Sequence, residues 1–142
     1  MSERFWEASG GRIFIGRLET GDDLVASIEA FCAERGVRAA WVSVIGAVSH
    51  ASFAYYEQDE RRYLELESGE HHEIVGFVGN ISIRDEQSFL HAHATFGARN
   101  GAAVGGHLLR GCVVFAAEVT ITEMGGVELV RHPDEVTGLA LW

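Results

Sequence analysis

One stretch of this chain carries helical periodicity. Nearly everything after it carries the two-residue alternation of strands, and that asymmetry limits the fold more than any other feature. In TGDDLVASIEAFCAERG, the apolar residues Leu24, Val25, Ile28, Phe31 and Cys32 recur at the spacing of one buried helical face. Thr20 and Asp23 are spaced as a capping box, and Asp22 and Asp23 would sit in the first turn, where the helix dipole favours acids. Arg35 and Gly36 supply the stop. The pattern predicts one amphipathic helix over about 20–35.

After the helix, RAAWVSVIGAVSHASFAYY (38–56) is rich in β-branched and aromatic residues, with Gly46 placed for a bulge or bend. Residues 72–84, 88–96, 102–110 and 112–124 continue the pattern across short polar or glycine-bearing connections, and 126–132 reads as one more strand. Pro133, the single proline, opens a tail whose apolar end is expected to dock on the core. No internal repeat or linker interrupts the 142 residues, so the reading is a single domain over 1–142. One helix followed by hairpin-connected strands implies an α+β fold with a mostly antiparallel sheet. Such a sheet needs its second face or its edges covered, and an oligomer would do that.

Charge narrows the partners. The chain has 21 acidic and 11 basic residues, every basic one an arginine, for a net charge of −10. Binding to a phosphate backbone relies on clustered Lys and Arg. Here Arg61-Arg62 is the only adjacent pair, with Glu60 beside it, so direct nucleic-acid binding is disfavoured. No apolar run reaches the length of a membrane span. The N-terminal MSERFWEASGGR lacks the layout of a signal peptide, which makes the cytoplasm the expected compartment. Cys32 and Cys112 both sit in apolar patterns and read as buried structural thiols.

The chemistry concentrates in LHAHATFGARNGAAVGGHLLRG (90–111), which holds three of the seven histidines. On a strand His91 and His93 share a face, with small alanines between and beside them. A three-residue loop Arg99-Asn100-Gly101, with Gly101 in the left-handed slot, sets Ala98 opposite Ala102. Counting back from that loop sets His93 opposite His107. Three imidazoles converging from two neighbouring strands suit a tetrahedral Zn²⁺ whose fourth position holds water. Gly105 and Gly106 place no side chains next to His107, which would let a ligand or another subunit approach. The H-x-H pair is not that of a cupin, because no acid follows between Ala94 and Ala98.

Glu118, on the strand expected to follow His107, is the candidate catalytic acid. It would serve as a general base or as a group orienting a histidine, and an exposed strand acid is the plainer alternative. His50 reads as a lone surface histidine, His71 and His72 as solvated or at a strand start, and His132 as a loop residue.

The segments RLETGDDLVASIEAFCAERGV, WVSVIGAVSHASFAYY, HEIVGFVGNIS, LHAHATFGARNGAAVGGHL, AAEVTIT and DEVTGLAL together resemble the plants-and-prokaryotes-conserved domain family, PPC or PCC, over nearly the whole chain. The resemblance implies a curved antiparallel sheet, a homotrimer, and zinc associated with His91, His93 and His107. Plant members carry an AT-hook and prokaryotic relatives are described as DNA-binding. This chain lacks the Arg-Gly-Arg-Pro core of such a hook. Three function classes stay open: a metal-dependent enzyme using zinc-bound water on a small molecule, a trimeric binding or assembly module in which zinc orders the hairpin, and a DNA-associated regulator.

Overall fold

The computed structural model describes residues 5–142. Strand β1 (Ser9–Leu18) leads into the helix α1 (Leu24–Arg35), followed by β2 (Ala40–Glu57), β3 (Arg62–Ser68), β4 (His72–Arg84), β5 (Gln87–Gly97), β6 (Ala103–Leu108) and β7 (Val113–Gly125). All seven strands form one antiparallel sheet in the order β1-β7-β2-β4-β5-β6, with β3 added to β2. The sheet curls so far that β6 pairs back on β2 at Phe53–Leu108 and Ala54–His107, closing a ring of β2, β4, β5 and β6. This is the mostly antiparallel, curved sheet with one helix that the sequence predicts. Among the described residues, no helix is long and apolar enough to cross a membrane.

The helix begins later than its sequence suggests. Asp23 is the N-cap, accepting a bond from the Ala26 N–H at 2.8 Å, and no acid occupies the first turn. Thr20 instead donates to the Phe115 carbonyl. The cause is tertiary: Gly21 and Leu24 donate to Val114 and Cys112, and Val114 donates back to Asp22. Residues 20–21 thereby form a tight turn, with Gly21 at φ 95°, and Asp23 is held extended against the start of β7, so the helix starts only after it. The stop is as expected, with Gly36 left-handed at φ 67° and its N–H bonded to the Ala33 carbonyl.

Leu24, Val25, Ile28 and Cys32 of α1 pack into a core with Val42, Val48, Phe53, Ile81, Leu90, Phe96 and Val114. Gly46 marks the bend in β2, with φ 152° and a register shift against β4. The bend lets one strand serve β4 and β7 in its first part and β3 and β6 in its second. Cys32 and Cys112 are buried free thiols whose pKa burial pushes up to about 12 and about 11, so both are inert at neutral pH.

Three elements depart from the pattern. The strands β1 and β3 form from segments to which the sequence pattern above assigns no element, although Leu64-Glu65-Leu66-Glu67 alternates. The segment 126–132 is not a regular strand: it makes a single parallel bridge, Ile83 to Val130. Its end joins the short pair β8 (His132–Pro133) and β9 (Ala140–Leu141). The tail therefore docks beside the far end of β4 and β5, with Leu141 and Trp142 still partly exposed.

Candidate metal centre

The hairpin joining β5 to β6 is set by its turn. Ala98 donates to the Ala102 carbonyl and Gly101 to the Ala98 carbonyl, Gly101 has φ 82°, and the Asn100 side chain accepts from the Ala102 N–H. From that loop the register runs Gly97–Ala103, Thr95–Gly105 and His93–His107, the pairing that the loop count predicts. Leu90, Ala92, Ala94 and Phe96 face the core. His91, His93 and His107 stand on the opposite, outer face.

The three rings form a cluster, with centroids 5.1 to 5.6 Å apart. One ligand nitrogen from each lies within 4.8 Å of the others. A tetrahedral zinc with bonds of about 2.0–2.1 Å holds its nitrogens roughly 3.3 Å apart. Small ring rotations would close that gap, and so the donor set fits a metal ion. Its protonation also fits. Burial first, then Arg131, holds the His91 pKa down to about 4, and burial, then His93, does the same for His107. Both imidazoles are neutral at pH 7, and each keeps one lone pair that can coordinate.

These shifts predict a pH dependence of the metal-free fold. An unfolded histidine titrates near 6.5. Between about 6.5 and 4 the unfolded chain binds protons that folded His91 and His107 refuse, so stability falls as pH drops through that window and levels off below it. After discounting for half-exposed rings, the loss is about 2–3 kcal/mol. Urea unfolding of chelator-treated protein at pH 7.5 and 4.5 measures it. The loss should shrink by that amount in a His91→Gln/His107→Gln variant, and an unchanged loss would refute the assignment.

Gly105 and Gly106 have a different reason from the one their neighbourhood suggests. A Cβ on Gly105 would lie 2.1 Å from the Ala94 carbonyl oxygen, and one on Gly106 would lie 2.5 Å from that of Ala54. The close approach they permit is by the chain's own backbone, where the ring closes.

Around the histidines the fold adds groups that the sequence reading does not single out. The Tyr63 ring from β3 lies 4.8 Å from that of His107. Ala54 pairs with both Glu65 and His107, placing all three on one face, and Glu65 lines the trough of about 770 Å³ that opens beside His91 and His107. The chief addition is Arg131. It is buried, donates to Ser82 Oγ at 2.7 Å, to the Ala140 carbonyl and to Asn80 Oδ1, and its Nη2 lies 3.4 Å from His91 Nδ1. Alternation could have flagged it, because Arg131 shares a parity with the buried Leu129.

Glu118 is not brought to this cluster. It is exposed on β7, paired across the sheet with Arg17 and Ile45, and β2 and β4 separate β7 from β5. Glu118 is thus the exposed strand acid of the plainer alternative, and the acids that line the trough are Glu29, Glu65 and Asp85. His50 lies 3.5 Å from Glu67 at the surface. His71 is exposed. His72 opens β4 but is buried rather than solvated, bonded through Nδ1 to the Glu70 carbonyl and set edge-on to Phe96. His132 pairs with Leu141.

The profile of the Plants and Prokaryotes Conserved (PCC) domain matches residues 6–125. The chain belongs to the PCC family. A metal-containing protein of Archaeoglobus fulgidus is 41% identical to this PCC chain and superposes at a TM-score of 0.94 over 99% of both chains. A plant- and prokaryote-conserved protein of Pyrococcus horikoshii is 31% identical, at 0.93 over 99% of this chain and 96% of that one. A Bacteroides thetaiotaomicron protein named for a conjectured DNA-binding role is 26% identical, at 0.84 over 94% and 95%. The bifunctional protein GlmU of a Synechococcus strain is 29% identical over 129 residues, 89% of this PCC chain. The chain spans about a fifth of the length of the curated relatives it matches.

Proposed function

We propose that this PCC protein is a homotrimer that binds one zinc ion per chain through His91, His93 and His107 and presents its open coordination position to a small-molecule ligand. The observation that carries the reading is the convergence of three imidazole nitrogens within 4.8 Å, with burial holding His91 and His107 neutral at pH 7. The metal-containing name of the Archaeoglobus relative supports it. When bound, the zinc supplies a Lewis acid and lowers the pKa of a water in its open position to about 7.

The chain's own groups do the rest. Tyr63 stacks against His107 and limits that ring's rotation, while the neighbouring strand pairing fixes His93. Glu65, in the same trough, is the group placed to accept a proton from a ligand held there. An assembly role for the site is the alternative within this reading: a fourth ligand from another subunit would close the coordination sphere and order the hairpin without catalysis.

Trimer formation is supported by the outer sheet face. Ile13 and Ile15 on β1, Trp41 and Ile45 on β2, and Val78 on β4 are exposed apolar side chains, and Val78 stands directly beside His93. An apolar face of this kind, on a sheet whose opposite face carries α1, marks an association surface. Sedimentation equilibrium should give a mass about three times 15.5 kDa. A monomer at micromolar concentration would refute the trimer.

DNA association is the second reading, favoured by the name of the Bacteroides relative. Charge opposes it, because a trimer would carry about three times the −10 of one chain. We place it below the zinc and small-molecule reading, with a cytoplasmic location for either.

A further inference from the structure

We propose that the trough beside the three histidines binds an organic carboxylate, whose charge is met by Arg131 and Arg84 and whose apolar body lies against Phe89, Leu139 and Leu141. The inference deepens the metal-centre reading and rests on it for one of the carboxylate's two oxygens.

The starting observation is a buried cation without a counter-ion. Arg131 is 7% exposed, and its partners are a serine hydroxyl, an amide oxygen, a backbone carbonyl and an imidazole, all of them neutral. Arg84, four residues from Asn80 on β4, stacks on the Phe89 ring at 3.7 Å, and Arg131 stands over the same ring at 5.3 Å. Neither arginine forms an ion pair with any described carboxylate; Arg35, Arg61 and Arg99 also lack one, but they are exposed, whereas Arg131 is buried. The acids in the trough do not fill the gap: Glu29 is paired with Arg110, and Glu65 and Asp85 are exposed on the walls without a bond to either arginine. In a chain of net charge −10, two adjacent uncompensated arginines call for an anion from outside.

A metal ion sharpens that demand. Arg131 Nη2 donates toward His91 Nδ1 only if that nitrogen carries a lone pair. If His91 bound the metal through Nδ1, Arg131 would press against a cation. If it bound through Nε2, Nδ1 would carry a proton and face another donor. In both cases an anion between guanidinium and metal removes the conflict, and binding of the metal and of the anion become mutually favourable.

Donor count selects the class. Of the five N–H groups of Arg131, Nε is spent on Ser82, one of Nη1 on Ala140 and the two of Nη2 on Asn80 and His91, so the free donors are one N–H of Nη1 and those of Arg84. With the metal's open position on the other side, two oxygens find partners, as a carboxylate offers.

The test uses benzoate and its neutral isostere benzamide, titrated calorimetrically into zinc-loaded protein whose metal content is measured on the same sample. Benzoate should bind saturably and at least about tenfold more tightly than benzamide. Arg84→Gln, at an exposed position that leaves the core intact, should weaken benzoate about tenfold and leave benzamide unchanged. Arg131→Lys, which keeps the charge but loses the planar fork, should weaken it as well. Equal binding of the two probes, or an Arg84→Gln variant with unaltered benzoate affinity, overturns the proposal. A sample that takes up no metal refutes the metal centre alone. Charge-selective, Arg84-dependent binding to that sample still upholds the carboxylate site, and its absence there overturns both.

Discussion

Replacing His91, His93 and His107 together by alanine is expected to abolish tight metal retention while leaving the fold in place. The donor nitrogens lie within 4.8 Å of each other, and among the described residues no other cluster of histidine, cysteine or acid side chains is close enough to hold an ion. A structural zinc site binds with about 10–16 kcal/mol shared among its ligands, so losing even one donor should weaken binding by at least about a hundredfold. His93→Ala is the cleanest single test, because His93 is the exposed member and its removal opens no cavity. Elemental analysis of the purified wild type should give about one metal per chain, and that of His93→Ala a small fraction of it. Far-ultraviolet circular dichroism should be unchanged. If the triple variant keeps full occupancy, the metal lies elsewhere and the site is misassigned.

The same change separates the two uses of the site. Loss of a tightly bound zinc lowers the melting temperature on either use, by mass action. Where a fourth ligand from another subunit closes the site, the loss also weakens association of the chains; where the fourth position is open to a ligand, association is unchanged and ligand binding is lost.

The site was legible in the sequence because its geometry is local. A loop of three residues with glycine in the left-handed slot fixes the register of the hairpin, and register fixes which side chains face each other. No long-range knowledge is needed to put His93 against His107. The long-range parts were not legible. Arg131 reaches the site because residues 129–131 bond to Ile83 at the end of β4, a contact between segments more than forty residues apart. Glu118 and Glu65 are both strand acids, and only the order β7-β2-β4-β5-β6, with β3 added on β2, decides which of them lines the trough.

The missed strands have a similar cause. Strand β1 starts at SGG, and its Ile13 and Ile15 point outward while Phe14 and Leu18 pack inward, so neither face is polar and the alternation disappears. Strand β3 exposes nearly every residue, Leu64 and Leu66 included. The helix was misjudged only at its start, where bonds to β7 override a good capping spacing.

The ring closure gives the second large effect. Gly105→Ala is expected to cost on the order of 3 kcal/mol, at the upper end of overpacking penalties, because the added carbon would meet backbone that no rotamer change can move. Its nearest atoms would be the Ala94 carbonyl oxygen at 2.1 Å and the Thr95 Cα at 3.0 Å. The strand can relieve that only by moving β6 away from β5, which loosens the pairing of Thr95–Gly105 and of His93–His107 two residues on. The melting temperature should fall by about 10 °C for a chain of this size, and zinc affinity should fall with it although no ligand has been touched. Gly16→Ala is the matched control: it is also a strand glycine, but nothing lies within 4 Å of its added carbon. There the change should stay within about 0.5 kcal/mol. Thermal unfolding of both variants, with and without zinc, decides the matter. If Gly105→Ala melts with Gly16→Ala and keeps its zinc affinity, β6 is not held against β5 as tightly as the ring requires. The histidines would then owe their convergence to the metal rather than to the fold.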